Sequence, residues 1–349
     1  MSCDTWQMND SPLSIAHLLL TRRFAGSERH AVELANAQAE AGHDVSMILR
    51  RAGAQDRADA IASRLSPKVK TIVVGDFFAI WQARRILKKL QPDIAHAHLS
   101  GGARALKGLR GTRTRRIATL HICYKPQQHE GLDGLIAIAP WQLQEMPADM
   151  RARSVQIDNW TLPQPPTSGA REQLRTAHGI AQDAWVFGAL GRVEHSKGLD
   201  VLLAAWQRAA LPADARLLIA GQGSAWQALR AQAPDNVLMP GFVSRPRDWL
   251  EAFDVFVSAA RSEPFGLVLL EAMDSGLPII ASASQGARHL QTVIATPLLP
   301  IDDIDALATA LRETYQNRPP RREYPMQQFR IDDKLAQIEA FYRLEGYAK

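Results

Sequence analysis

WVFGALGRVEHSKGLDVLLAAWQRAALPADARLLIAG (185–221) decides the fold class. It opens on the short apolar run 185–191 and closes on a second, 215–221, with a helical segment between them. Short apolar runs without polar alternation read as strands buried on both faces. Two such strands joined by a helix imply a parallel crossover with the helix covering the sheet.

The pattern continues outward. NVLMPG (236–241), DVFVSA (254–259) and PIIAS (278–282) read as further strands with helices between them. Upstream, SIAHLLL (14–20), DVSMIL (44–49), VKTIVV (69–74), DIAHAH (93–98), RIATLH (116–121) and GLIAIA (134–139) give a second set. In SERHAVELANAQAEAG (27–42), Ser27 reads as a helix N-cap and Gly42 as its C-terminal stop. Two sets predict an α/β chain of two doubly wound, Rossmann-like parallel-sheet domains. WTLPQPPTSGA (160–170), with three prolines and no periodicity, reads as the linker. A second break, NRPPRREYP (317–325), precedes one last amphipathic helix. The expected domains are 1–160, with a helix in 327–349 packing back on it, and 161–326.

Composition narrows the function. At 349 residues the chain exceeds what one core usually organises. Hydrophobic residues at 46% and charged residues at 22% are ordinary for a globular protein and argue against global disorder. No stretch of about 20 residues is free of charges or helix breakers, as a membrane-spanning helix requires. The opening MSCDTWQMNDSP is polar and acidic and does not read as a signal peptide. Two cysteines, Cys3 and Cys123, exclude a disulfide framework and suit a reducing cytoplasm. Residues 1–165 carry 22 Lys+Arg against 15 Asp+Glu, net +7, and residues 166–349 carry 19 against 21, net −2. A basic first half points to an anionic partner. Nucleic acid is not expected, because no recognition motif accompanies the charges.

Ligands of open parallel sheets bind beyond the carboxyl ends of the strands, and the chemistry-bearing residues cluster there. In SEPFGLVLLEAMDSGLP (262–278), Pro264 is placed to start a helix and Gly266 allows close backbone approach at its N-terminus. Glu271 then interrupts a run of apolar residues from Leu267 to Met273. It reads either as a carboxylate paired with a cation or set on a narrow polar stripe, or as an acceptor for sugar hydroxyls. In GALGRVEHSKGLD (188–200), Arg192 and Lys197 follow a strand. They are either solvated or placed to neutralise a diphosphate. GQG (221–223) lacks the third glycine of a dinucleotide fingerprint.

The stretch 262–278, with Glu263 and Glu271 eight positions apart, resembles the signature of glycosyltransferase family 4, retaining enzymes of the GT-B fold. The resemblance implies two facing lobes with a cleft between them. It implies Glu263 beside the donor sugar, Glu271 at the nucleotide ribose, and backbone N–H groups of Phe265, Gly266 and Leu267 at sugar and phosphate. It assigns Arg192 and Lys197 to the diphosphate. Ala259 and Ala260 stand where the family often has Pro-Ser. PGFVSR (240–245) resembles the wall around the nucleobase, and FAGSERHAVELANAQAEAGHDV (24–45) the opening loop and helix, with Gly26 at the phosphate and Ala25 in place of a second glycine. His121 would point at the donor sugar, whereas His96 and His98 read as core or supporting residues. VQIDNW (155–160) resembles the crossover strand, with Asn159 at its end.

The implied activity is transfer of a hexose-type sugar from a nucleotide-sugar, most commonly a UDP-sugar, to a glycan or glycolipid acceptor in surface-polysaccharide or lipopolysaccharide synthesis. No metal and no cofactor are expected; Asp303 and Asp305 read as helix caps. RALKGLRGTRTRR (104–116) and FFAIWQARRILKK (77–89) read as packed surface with snorkelling cations or as docking segments for an anionic inner-membrane surface. Three alternatives stay open: a nucleotide-sugar epimerase of the same fold, a two-lobed solute-binding protein, and a nicotinamide-dependent oxidoreductase, although the last lacks its glycine fingerprint after the first strand.

Overall fold

The computed structural model describes residues 11–22, 24–55 and 60–344, so Cys3 and residues 345–349 lie outside the described residues. The chain divides into two compact units, 1–158 with 331–349, and 159–330.

The first unit holds a seven-stranded sheet: β1 (Ser14–Leu19), β2 (Asp44–Arg50), β3 (Lys70–Val74), β4 (Ile94–His98), β5 (Arg115–Leu120), β6 (Gly134–Ala137) and β7 (Val155–Gln156). All pairs are parallel, in the order β3-β2-β1-β4-β5-β6-β7. The order reverses between β1 and β4. Every side chain of β4 is buried, as is every side chain of β1 after Ser14; apart from His17, His96 and His98 these buried positions are apolar, as a sheet covered on both faces requires. Helices α1 (Gly26–Glu40), α2 (Ala79–Leu90) and α3 (Leu99–Leu106) belong to the crossovers.

Two local expectations are corrected and one, Gly42 as the stop after α1, holds. Ala25, not Ser27, is the N-cap of α1: its backbone is extended and its carbonyl accepts from Arg29 N at 2.8 Å, which leaves Ser27 inside the first turn. Gly42 follows the helix with φ +95°. The strand expected across 155–160 is limited to Val155 and Gln156, with Ile157 N still donating to Ala137 O at 2.9 Å, and Ile157 and Trp160 are buried.

The second unit holds β8 (Trp185–Leu190), β9 (Ala215–Ala220), β10 (Val237–Gly241), β11 (Val255–Ser258) and β12 (Ile279–Ala281), parallel in the order β10-β9-β8-β11-β12. Here the order reverses between β8 and β11. Helix α4 (Leu199–Ala209) packs on this sheet, with Leu202, Ala205 and Trp206 in the core. The opposite end is pinned by Arg175, fully buried, which donates to Ala252 O, Ala184 O and the Asp254 carboxylate. The proline-rich stretch before it has no regular element; Thr167 is anchored to Asp248 through its backbone N and its hydroxyl.

Helix α5 (Leu267–Asp274) starts three residues later than Pro264. Gly266 is its N-cap with φ +98°, a conformation that turns Phe265 inward against His289 and Phe329. Helix α6 (Ile304–Asn317) is capped by Asp303, whose carboxylate accepts from Ala306 N at 2.8 Å. Asp305 does not cap; it sits in the first turn and pairs with Arg208. The last helix, α7 (Ile331–Arg343), belongs to the first unit: Tyr342 bonds His96, and Arg115 donates to the carbonyls of Tyr342 and Leu344.

No described helix is long and apolar enough to cross a membrane.

Candidate active site

The reversal of strand order in the second sheet opens a crevice beyond the carboxyl ends of β8 and β11. A cavity lies there, lined by Gly191, Arg192, Lys197, Ser258, Glu263 and Val268 among others. Three of the residues expected to carry chemistry therefore share one site.

Lys197 reaches it through a tight turn. Residues His195–Lys197 form one 3₁₀ turn, and Gly198 follows at φ +60°. A Cβ on Gly198 would lie 1.9 Å from the Ala259 carbonyl oxygen, so only glycine lets this turn press against the end of β11. The Lys197 ammonium bonds the Glu263 carboxylate. Both side chains are mostly covered, 21% and 13% exposed, so the pair is screened less than a surface pair. Arg192 is open, with its side chain 65% exposed, and pairs with Glu194 at 2.8 Å.

Arg261, which no sequence pattern singled out, ties the two halves of the site together. Its guanidinium donates to both oxygens of Asp200 at 2.8 and 2.7 Å and to His195 O at 2.8 Å. It also pairs with Asp302 at 2.6 Å. The backbone N–H groups of Arg261 and Ser262 donate to Ser196 O. The turn holding Lys197 and the loop holding Glu263 are thus fastened on both sides.

Helix α5 is less enclosed than its sequence suggests. Leu269, Leu270, Ala272 and Met273 are buried, but Leu267, Val268, Glu271 and Asp274 are only half-buried. These four recur at helical spacing and form one open stripe with Glu271 in it. The Phe265 side chain is core, so at a ligand only its backbone could serve. The first N–H groups of α5 have no carbonyl partner within the helix and favour an anion.

The other two expected site residues are in the first unit. Gly26 is the exposed first residue of α1. His121 follows β5 and is buried, with its Nε2 3.1 Å from His98 Nδ1. Burial pushes His121 down to about 4. His96 and His98 are fully buried and, with His17, belong to the same histidine cluster at the β1–β4 reversal. His17 and His30 went unread in the sequence. Their only signal is a histidine on a strand or helix facing the carboxyl end of another, which requires the topology.

The basic run 104–116 is corrected in part. Arg116 forms a two-pronged pair with Asp133, and Arg115 holds α7 and lies over the Phe341 ring, 5.0 Å from its centroid. Both guanidinium groups are engaged within the first unit. Phe77, Phe78 and Trp81 are instead 84%, 82% and 59% exposed.

Residues 24–156 match the family model described as Glycosyltransferase Family 4, and residues 184–317 the model described as Glycosyl transferases group 1. The chain belongs to glycosyltransferase family 4. The phosphatidyl-myo-inositol mannosyltransferase of Mycolicibacterium smegmatis is 29% identical over 82% of this chain and 80% of its own length. The D-inositol 3-phosphate glycosyltransferase of Xylanimonas cellulosilytica is 36% identical over 45% of this chain and 39% of its own. Against that relative, and against the lipopolysaccharide core mannosyltransferase of Rhizobium meliloti at 48%, the chain matches less than half the relative's length. The fold of this family 4 chain is GT-B. The crystal structure of Anabaena HepE in complex with UDP and glucose superposes with a TM-score of 0.75, at 17% identity over 95% of this chain and 100% of that one.

Proposed function

We propose that the chain transfers a hexose from a nucleotide-diphosphate sugar, in the first instance a UDP-sugar, to a hydroxyl of a glycan or glycolipid, with retention at the anomeric carbon. The observation that carries this reading is the convergence of Arg192, Lys197, Glu263 and the start of α5 on one cavity at the strand-order reversal. Two cations and a helix N-terminus suit a diphosphate, and a carboxylate beside them suits sugar hydroxyls. The named activities of the relatives, which include phosphatidylinositol and lipopolysaccharide-core mannosyl transfer, support a glycolipid or polysaccharide acceptor.

In this mechanism the diphosphate oxygen leaves as the acceptor oxygen arrives on the same face of the sugar. Lys197 and Arg192 stabilise the charge that grows on the leaving oxygen, and a diphosphate oxygen takes the acceptor's proton. Glu263 accepts hydrogen bonds from the sugar, Glu271 from the ribose, and backbone N–H groups from Phe265 to Leu267 hold sugar and phosphate. Gly26 meets the phosphates and His121 the sugar. Fixed charges aimed at the departing group are the main source of rate, and neither a metal nor a cofactor is assigned a role.

The reading also places the chain at the cytoplasmic face of a membrane. Phe77, Phe78, Trp81, Arg85, Lys88 and Lys89 are exposed on and beside one helix, α2, and combine apolar anchors with cations suited to anionic lipid.

The test is product analysis with UDP-glucose and GDP-mannose, with and without a lipid-linked acceptor. Acceptor-dependent glycolipid with an α-linkage supports the reading. Sugar interconversion without acceptor would move the chain to the epimerase alternative.

A further inference from the structure

Four buried side chains of the first unit form one unbranched hydrogen-bonded chain. Gln38 Oε1 lies 2.7 Å from His17 Nε2. His17 Nδ1 lies 3.0 Å from His98 Nε2. His98 Nδ1 lies 3.1 Å from His121 Nε2. Gln38, His17 and His98 are 0% exposed and His121 is 9% exposed, so water does not substitute for these partners.

Burial pushes His17 and His121 down to about 4 and holds His98 well below the ordinary value, so the three rings are neutral at pH 7. A neutral imidazole has one N–H and one bare nitrogen. The proton positions then follow by elimination. The Gln38 amide oxygen only accepts, so His17 carries its proton on Nε2. Its bare Nδ1 accepts from His98 Nε2–H, and the bare His98 Nδ1 accepts from His121 Nε2–H. The bare nitrogen at the end of the chain is His121 Nδ1, to which no described residue hydrogen-bonds.

The other end of the Gln38 amide is engaged as well. Gln38 Nε2 donates to the Tyr342 hydroxyl at 3.4 Å. That hydroxyl lies 2.5 Å from His96 Nδ1, and His96 Nε2 lies 2.8 Å from Thr119 Oγ1. Tyr342 comes from α7 and accepts from the amide nitrogen of Gln38, while the amide oxygen faces His17. Reversing the amide would reverse every proton in the chain.

We propose that Gln38, oriented by Tyr342, sets the tautomer of His121 through His17 and His98, so that His121 offers a bare Nδ1 to a hydroxyl of the transferred sugar. The last clause rests on the reading of His121 as a donor-sugar residue. Gln38, His17, His98 and Tyr342 are positioning residues. The trios His17, His96, His98 and His30, His98, His121 also have ring nitrogens within 4.8 Å of one another, a spacing that could admit a metal ion. Both nitrogens of His17 and of His98 are, however, already joined through protons to their neighbours, and a metal would have to displace them.

The experiment is NMR of histidine-selective ¹⁵N-labelled protein at pH 7, with His121→Gln to assign the signal and elemental analysis of the same sample. Neutral Nε2–H rings at His17, His98 and His121 are expected. A charged or Nδ1–H His121, or stoichiometric metal, would overturn the chain. Gln38→Met and Tyr342→Phe should mix the His121 tautomers and raise the donor KM, about twofold for an even mixture and up to about tenfold where the Nδ1–H form dominates, with kcat changed less. Melting curves of the variants separate these effects from unfolding. A wild-type tautomer in Gln38→Met would overturn the role of Gln38, and a shifted tautomer with unchanged KM would overturn that of His121 at the sugar. Because the tautomer is read without substrate, a chain that shows no transferase activity would contradict the proposed function and leave the spectroscopic result standing.

Discussion

Lys197 and Glu263 are 66 positions apart in the sequence and form an ion pair at the carboxyl ends of β8 and β11. Under the proposed function a diphosphate at this site would share the ammonium with Glu263, and the lysine would be oriented by the carboxylate assigned to the sugar. Lys197→Ala should lower kcat by roughly 10²–10³, the usual cost of one charge-stabilising donor, and should raise the donor KM by less. Steady-state kinetics on the donor that supports turnover check this; wild-type kcat would return Lys197 to a structural role.

Arg261 should matter as much as residues nearer the sugar. It fastens the Lys197 turn to the Glu263 loop through Asp200, Asp302 and the His195 carbonyl. Arg261→Ala should reduce kcat/KM about tenfold or more by loosening that geometry. Arg261→Lys should rescue little, because one ammonium cannot fork across the Asp200 carboxylate. Full activity in Arg261→Lys would contradict the positioning role.

The strand–helix alternation and both strand sets were legible because buried parallel strands are nearly pure apolar runs. The pair Arg192 and Lys197 and the segment 262–278 were legible as local patterns. The pairing of Lys197 with Glu263 was not, since it depends on β11 lying beside β8 rather than on anything near either residue. The open stripe on α5 was hidden for a different reason. Leu267 and Val268 are apolar, and nothing local distinguishes a half-buried leucine from a core one. Which of the two readings Arg115 and Arg116 follow was not legible, because an arginine run looks alike whether its guanidinium groups meet water, a ring or an aspartate. The histidine cluster was invisible because His17, His98 and His121 meet only through the sheet order.

The histidine cluster should make the fold acid-sensitive. His17 and His121 are lowered to about 4 from an ordinary 6.5, by burial above all, and His96 and His98 are lowered in the same direction. The groups facing them include His30, Gln38, Thr119 and Tyr342, whose hydroxyl burial holds protonated. A depressed folded value means the unfolded chain binds more protons. The stability is therefore complete above about pH 6.5 and is lost as pH falls toward 4, at up to about 1.4 kcal/mol per pH unit per histidine. Tm should fall between pH 7.5 and pH 5; a flat Tm across that interval would contradict the neutral cluster.

Membrane docking should depend on aromatics more than on the arginine run. Phe77→Ser with Trp81→Ser should weaken sedimentation with phosphatidylglycerol vesicles at least tenfold, on the scale of about 1.5–3 kcal/mol per buried aromatic. Arg115→Ala should leave vesicle binding unchanged and lower Tm, because Arg115 holds the end of α7. Vesicle binding that survives loss of the aromatics would refute this face.

Glu271 tests the central claim most directly, because the ribose it is assigned to belongs to donor and product alike. The measurement is calorimetric titration of UDP and GDP into the wild type, Glu271→Gln, Glu271→Ala and Glu263→Gln. One lost charge-assisted hydrogen bond, about 1.5–3 kcal/mol, should weaken nucleotide binding roughly 10- to 150-fold in Glu271→Ala. Glu271→Gln should lose less, since it keeps one acceptor oxygen, and Glu263→Gln should bind nucleotide like the wild type while failing in transfer. Equal nucleotide affinity in the wild type and Glu271→Ala would contradict a nucleotide site on α5.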